Sequence, residues 1–482
     1  MEQLFTTQPS ECNKWWIALG VSIGVFIFAI DVYVINLALP VMVESLQTGF
    51  AVIQWVVLSY LIAIAVSVLS IARLGDIWDK KILYLVGLGV FTLASLACGL
   101  SVNVVYLIVF RALQGLGAAF LSGLGTAILV ETFPTHQRGL ILGIRAGVYG
   151  LGITLGPSLG GVLLPLGGWP LIFWINVPIG LLGMIIIILF MPSSSVTYSQ
   201  RGVDVQGTLS LMITLSCFMA AITLAQMNVL ELPFILVLMG LTVVGLLTFL
   251  WIESTQTDPM LDLTLFQSIP LSAGLALRLM GNLCIAAIIF ILPFFLELVQ
   301  HYPPDRAGLL LAIPPIIISI FAPLSGLTSD WIGGRTVSLV GLGLICLSCV
   351  LLGSMDESSS LTFYGIAVVP YALGVALFQS PNNNTIMGAV SRQHLGIAAG
   401  LLSLARILGQ SIGIPLSGLI FSRMVLSGLD GELSVLDAPV SALVMGSRMA
   451  FWSMAVLLSG GTLVIAGLWF WFGSKLPSPS DG

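Results

Sequence analysis

Charge is what this sequence has least of. Lys and Arg number 16 and Asp and Glu 21, together 8% of 482 residues, and the mean hydropathy is +1.10. Soluble domains carry about 25% charged residues, so a water-soluble globule is excluded. No basic run is present and the net charge is −5, which argues against nucleic acid as a partner. Histidine is nearly absent: His136, His301 and His394 fall in loops with no Cys or Asp at ligand spacing, so no metal site is expected. The six cysteines lie mostly inside apolar runs, which speaks against a disulfide framework, and "CLSC" (346–349) reads as small apolar packing. Paired carboxylates, a histidine cluster and an activated nucleophile are all missing, so neither an enzyme nor a cofactor is expected.

What the chain has instead is apolar runs of about 20 residues, each long enough for a hydrocarbon core of about 30 Å. They recur at 15–40, 53–72, 82–100, 104–131, 139–164, 170–191, 205–226, 233–252, 271–298, 306–329, 336–353, 362–387, 396–423 and 449–473. The expected class is therefore an all-α integral membrane protein with fourteen transmembrane helices in the lipid bilayer. The opening "MEQLFTTQPSECNKWW" has no basic n-region followed by a small-residue cleavage site, so the first span is expected to stay. Lys14, Arg73, Lys80, Lys81, Arg138, Arg201, Arg335, Arg392 and Lys475 fall on one side of these spans, and only Arg306, Arg423 and Arg448 on the other. By the positive-inside bias, both termini are expected in the cytoplasm of a multi-pass cell-membrane protein.

Internal repetition comes next. Gly139, Gly143, Gly152, Gly156 and Gly161 each have a glycine 257 residues later, at Gly396, Gly400, Gly409, Gly413 and Gly418. The fifth and thirteenth spans thus read as repeat partners. "ARLGDIWDKK" (72–81) and "GLTSDWIGGR" (326–335) echo each other more loosely, each with an aspartate four residues after a small residue and then a cation. Parallel repeats with a site between them at the membrane midplane make a transporter layout, whereas a channel would want a ring or filter sequence.

Against this apolar background single polar residues stand out. Asp31 sits in "FIFAIDVYVINLALP" (26–40), where a charge costs at least about 2.5 kcal/mol. At 1.5 Å per residue, Asp31 and Arg111 both lie about 12 to 14 Å below the same ends of their spans and can meet. A carboxylate held by an arginine in one state and released in another can carry a proton. Arg406 and Gln410 fall near the midplane and are expected to meet cargo, with Arg278, Asn282 and Gln114 completing the set. Four arginines, Arg111, Arg145, Arg278 and Arg406, face one deep acid, and that surplus favours neutral or anionic amphiphiles. Gly152, Gly156 and Gly160, spaced every four residues beside Pro157 and Gly161, are read as a close-approach seam between halves. Asp76 is placed near a helix start, where a carboxylate is favoured.

Together these residues resemble the major facilitator superfamily. "ARLGDIWDKK" is similar to its cytoplasmic-loop signature, "RALQGLG" (111–117) to its fourth-helix motif and "GLGITLGPSLGG" (150–161) to its fifth-helix antiporter motif. "AIDVYVINLALP" (29–40) and "WPLIFWINVPIG" (169–180) resemble the fourteen-helix drug:proton antiporter branch. The loop signature departs at Ala72 and Asp79, where glycines are usual. The resemblance implies a six-helix bundle at 1–192, two extra helices within 193–267 and a second, pseudo-symmetric bundle at 268–482. It implies proton coupling at Asp31 and Arg111, and a conformational gate at Gly75, Asp76, Lys80, Lys81, Asp330 and Arg335. Gly152, Gly156, Pro157, Gly160 and Gly161 form the antiporter motif. The expected function is a monomeric, proton-coupled antiporter that exports small amphipathic compounds or drugs by alternating access. Alternatives are a dedicated exporter of an anionic, neutral or lipid-like metabolite, or a non-transporting membrane sensor.

Overall fold

The computed structural model describes residues 11–134, 137–192, 205–227, 232–256, 263–390, 395–427 and 438–473. Among the described residues there is no strand. Fourteen α-helices follow one another: α1 (Glu11–Ser45), α2 (Phe50–Ile77), α3 (Lys80–Gly99), α4 (Val104–Thr132), α5 (Arg138–Trp174), α6 (Asn176–Phe190), α7 (Val205–Met227), α8 (Leu232–Thr255), α9 (Ile269–Phe294), α10 (Pro304–Ile332), α11 (Gly334–Gly353), α12 (Leu361–Gly388), α13 (Leu395–Leu426) and α14 (Val440–Gly473). A π-helical turn at Phe295–Val299 continues α9. Helices are what such a composition dictates, because in hydrocarbon every peptide group must find its partner within the segment. Among the described residues twelve stretches are long and apolar enough to cross a membrane, one of which, 147–190, runs through both α5 and α6.

Polar residues in the connections start the helices. The Asn103 side chain accepts from the Tyr106 amide at 3.1 Å, Ser360 from Phe363 at 3.2 Å and Asp79 from Lys81 at 2.8 Å. This corrects the expectation for Asp76: its backbone lies in the last turn of α2, and Asp79 is the residue that caps α3. The side chains of Asp76 and Asp330 lie outside what is described. Two boundaries also differ from the hydropathy reading. α1 continues past Pro40 because Met42 and Val43 still pack inside, and the chain turns at Gln47 with φ 48°. α5 passes through Pro157 and breaks at Gly167 and Gly168, between the expected spans 139–164 and 170–191, the latter glycine with φ 68°, a backbone that glycine adopts freely. α14 starts nine residues before the expected 449.

The order of packing repeats. α1 packs on α5 and α6, α2 on α4, and α3 on α4 and α6; eight helices later α9 packs on α13 and α14, α10 on α12, and α11 on α12 and α14. Between the two sets, α5 meets α10 and, equivalently, α13 meets α2. α7 lies against both α2 and α13, while α8 packs on α7 and turns Leu236, Val237, Val244 and Trp251 outward.

The glycine offset of 257 reappears in these contacts. A Cβ at Gly156 would lie 3.0 Å from Tyr33 Cβ and 3.2 Å from the Val34 amide of α1; one at its partner Gly413 would lie 3.0 Å from Leu283 Cα of α9. Gly161 abuts Pro304 and Asp305 of α10, and its partner Gly418 abuts Gln54 of α2. The seam expected between halves is therefore split. Gly152, Gly156 and Gly160 let α5 approach α1 within the first set, and only Gly161 stands between the sets.

Candidate functional site

Five helices converge on Asp31. Its carboxylate and the Arg111 guanidinium are both fully buried, and Arg111 Nη1 donates to Asp31 Oδ2 at 2.5 Å. Arg111 Nη1 also donates to Gln114 Oε1 at 2.7 Å, and Nε to the Val56 carbonyl of α2 at 2.9 Å. Gln114 Nε2 reaches Asp31 Oδ1 at 2.9 Å and Ser95 Oγ of α3 at 2.7 Å. Asn176, at the start of α6, donates to Asp31 Oδ1 at 3.2 Å. The guanidinium lies 4.1 Å from the centre of the Tyr60 ring. A buried ion pair is costly to desolvate and is sustained by further hydrogen bonds, which here engage both Asp31 oxygens and Arg111 Nη1 and Nε and leave Arg111 Nη2 without a partner.

The donors all point one way. Arg111, Gln114 and Asn176 each present an N–H to Asp31, so a proton placed on either carboxylate oxygen meets a donor rather than an acceptor. Protonation of Asp31 thus demands rearrangement of a network that ties α1 to α2, α3, α4 and α6. Asn176 Oδ1 has no partner, and rotation of that amide would offer the acceptor that a protonated Asp31 needs.

Beside the network lies the cavity. It is lined by Val32, Tyr33 and Asn36 of α1, Val57 and Leu61 of α2, Ala286 and Ile289 of α9, and Gln410 and Ile414 of α13. Val32 and Val57 are chain neighbours of Asp31 and Val56, so cavity and network share two helices. Gln410 takes the expected place. Arg406, one turn away on α13, donates to the Tyr149 hydroxyl of α5 at 3.0 Å. Arg278 is buried and donates to Asn383 Oδ1 at 2.6 Å, and Asn282 donates to the Arg278 carbonyl on its own helix at 2.8 Å. Gln114, expected beside cargo, belongs to the buried network instead, because its side chain points back at Asp31.

Of the expected gate, Lys80 pairs with Glu131 of α4 at 3.0 Å and Lys81 donates to the Ile188 carbonyl of α6 at 3.1 Å, both within the first set of helices. Gly75 packs against Leu124 of α4, and Arg335 lies in the first turn of α11. The two sets touch elsewhere. Around the α1–α2 and α9–α10 connections, Gly161 meets Gly308, Gly418 meets Gln54, and Phe50 packs on Phe290, Phe294 and Phe421. Contacts between α5 and α10 run on to Thr154 and Ser319, whose hydroxyls are 3.3 Å apart. Beyond them no heavy atom lies within 4 Å of a Cβ built at Gly147, and Gly326 faces Ser380 of its own set.

Tyr33 and Asn36 lie inside "AIDVYVINLALP" and Asn176 inside "WPLIFWINVPIG", yet sequence reasoning gave none of them, nor Ser95, a role at the site. Tyr33 and Asn36 were legible only as polar residues within five positions of Asp31, and Asn176 as a lone amide in "FWINVPIG".

Residues 21–414 match the family model of the Major Facilitator Superfamily. The chain is 29% identical over 447 residues to the riboflavin transporter RibZ of Clostridioides difficile, covering 92% of this chain and 95% of that protein. It is 30% identical to the multidrug resistance protein Stp of Mycobacterium tuberculosis (86% and 77% covered) and 28% identical to the tetracenomycin C resistance and export protein of Streptomyces glaucescens (86% and 77%). Among solved structures, an inward-facing, occupied bacterial homologue of the human lysosomal transporter Spinster superposes with a TM-score of 0.73 at 16% identity, covering 98% of this chain and all of that one. With its repeated helix order, its cavity between two sets of helices and a family match over most of its length, this chain belongs to the Major Facilitator Superfamily and is a membrane transporter.

Proposed function

We propose that the chain is a proton-coupled antiporter that exports small amphipathic compounds by alternating access, built as bundles 1–192 and 268–482 with two added helices within 193–267. The observation that carries this reading is the all-donor shell around Asp31. Proton uptake there cannot occur without loosening bonds from α4 and α6 to α1, and α1 lines the cavity through Val32, Tyr33 and Asn36. A proton event is thereby tied to the shape of the cargo site. With both termini in the cytoplasm, the contacts around Phe50 close the outer side, and the state described is inward-facing. Relatives named for drug resistance and export support the direction of transport.

The test is flux in proteoliposomes under an imposed pH gradient. Asp31→Asn is expected to abolish gradient-driven movement of a carried compound while passive counterflow persists. Because that variant leaves Arg111 charged and unpaired in the interior, at a cost of about 3 to 5 kcal/mol, the double variant Asp31→Asn/Arg111→Gln serves as the folding control. Gradient-driven export by either variant at the wild-type rate would refute the proton role of Asp31.

A further inference from the structure

One turn of α13 from Gln410, which lines the cavity, Arg406 belongs to a group of arginines without a counter-charge among the described residues. Arg145 of α5, Arg278 of α9 and Arg406 of α13 lie nine to eleven residues or fewer from the ends of their helices on the α2–α3 side. Arg406 lies near both Arg145 and Arg278, and Tyr149 lies near all three. Among the described residues no carboxylate pairs with any of the three; their hydrogen bonds go to neutral groups, Asn383 and Tyr149. Arg278 is 6% exposed, and its Nε, like that of Arg145, is buried without a partner. Neighbouring guanidinium groups, two of them with a buried Nε left over, offer donors and charge that suit an anion.

The cavity itself has the reverse polarity. Asn36 Oδ1 and Gln410 Oε1 are buried acceptors without donors. Pro40, which has no N–H, leaves the Asn36 carbonyl without its usual helical donor as well. Its apolar walls include Val32, Val57, Leu61 and Ile289.

We infer that the cavity takes an amphipathic organic anion lengthwise: its carboxylate, or a comparable acid group, sits among Arg278, Arg406 and Arg145, its apolar body lies between α1, α2 and α9, and an N–H or O–H at its far end meets Asn36 and Gln410. The inference rests on the export reading above and names its cargo class. Cations are rejected by the arginines, and neutral analogues forfeit the charge-assisted bonds.

The test compares indole-3-butyrate, its primary amide and tryptamine, which share an apolar ring with an N–H donor and differ in charge. Binding to the full-length protein in lipid nanodiscs is measured by calorimetry. The anion is expected to bind about tenfold or more tightly than the amide, with tryptamine weakest, the ratio expected from one charge-assisted bond. Added salt should narrow the gap between anion and amide. Arg406→Gln and Arg278→Gln should each erase most of that gap by weakening the anion far more than the amide, and Arg406→Lys should restore part of it. Equal affinity for the three compounds, tighter binding of tryptamine, or no binding of the anion overturns the inference, with no variant needed. Proteoliposome flux separates the two readings. Gradient-driven transport of tryptamine with no binding of the anion would leave the antiporter standing and remove the anion site. Selective binding of the anion with no flux of any compound would do the reverse.

Discussion

At the scale of single residues, the Asp31 shell makes a prediction that a static ion pair would not. If the Asn176 amide must turn to accept a hydrogen bond from protonated Asp31, Asn176→Ala should slow gradient-driven turnover by about fivefold or more and leave cargo affinity within about twofold, since one hydrogen bond of about 1 kcal/mol is at stake. The fold should survive, because Arg111 and Gln114 still hold the carboxylate. Turnover equal to wild type would reduce Asn176 to packing. Asp31 and Arg111 were legible in the sequence because a charge in an apolar run is conspicuous and helical rise fixes its depth. Their partners were not. An asparagine or a serine in a membrane span costs too little to stand out, and Gln114 was assigned to cargo because its depth fits both places; only the direction of its side chain decides.

At the scale of helices, glycines that look alike in sequence do different work. Gly308 and Gly161 lie where α10 crosses α5, and a Cβ at Gly308 would come within 2.7 Å of the Pro157 carbonyl. Gly308→Val is therefore expected to hold the two sets of helices apart on that side, stopping the cycle with cargo binding retained. Spin-label distances between α5 and α10 should lengthen there. Transport at the wild-type rate would show that this crossing opens no further during the cycle. Gly156→Leu behaves otherwise, since it pushes on Tyr33 and Val34 of α1 inside one set. Overpacking of about 1 to 3 kcal/mol should lower thermal stability and, through Tyr33, cargo binding as well. Period and offset marked Gly156 and Gly161 as close-approach positions. Which partner each one meets depends on the rotation of α5 about its axis, and the consecutive residues Gly160 and Gly161 point about 100° apart.

For the whole molecule, the question is what holds it closed on one side. The repeated order of helices was legible from the 257-residue offset, yet the latch was not, because Phe50 stands at a helix start and its partners come from α9 and α13, hundreds of residues away. Its ring lies 5.4 Å from Phe290, 4.9 Å from Phe294 and 5.2 Å from Phe421. Aromatic pairs add about 0.5 to 1.5 kcal/mol each beyond the area they bury. Opening this side to water would expose all three pairs at once. Phe50→Ala should then weaken closure by about 2 kcal/mol, which changes the ratio of closed to open states by about thirtyfold. A cysteine placed at Ile289 in the cavity should label faster with an impermeant reagent from the α1–α2 side in Phe50→Ala than in wild type. Phe50→Leu, which keeps an apolar side chain, should lie between them. Equal labelling in all three would move the latch to the glycine crossings, and Gly308→Val alone should then open that side. Labelling that rises in Phe50→Ala but not in Gly308→Val would instead make the aromatic cluster the dominant restraint, with the α5–α10 crossing following it.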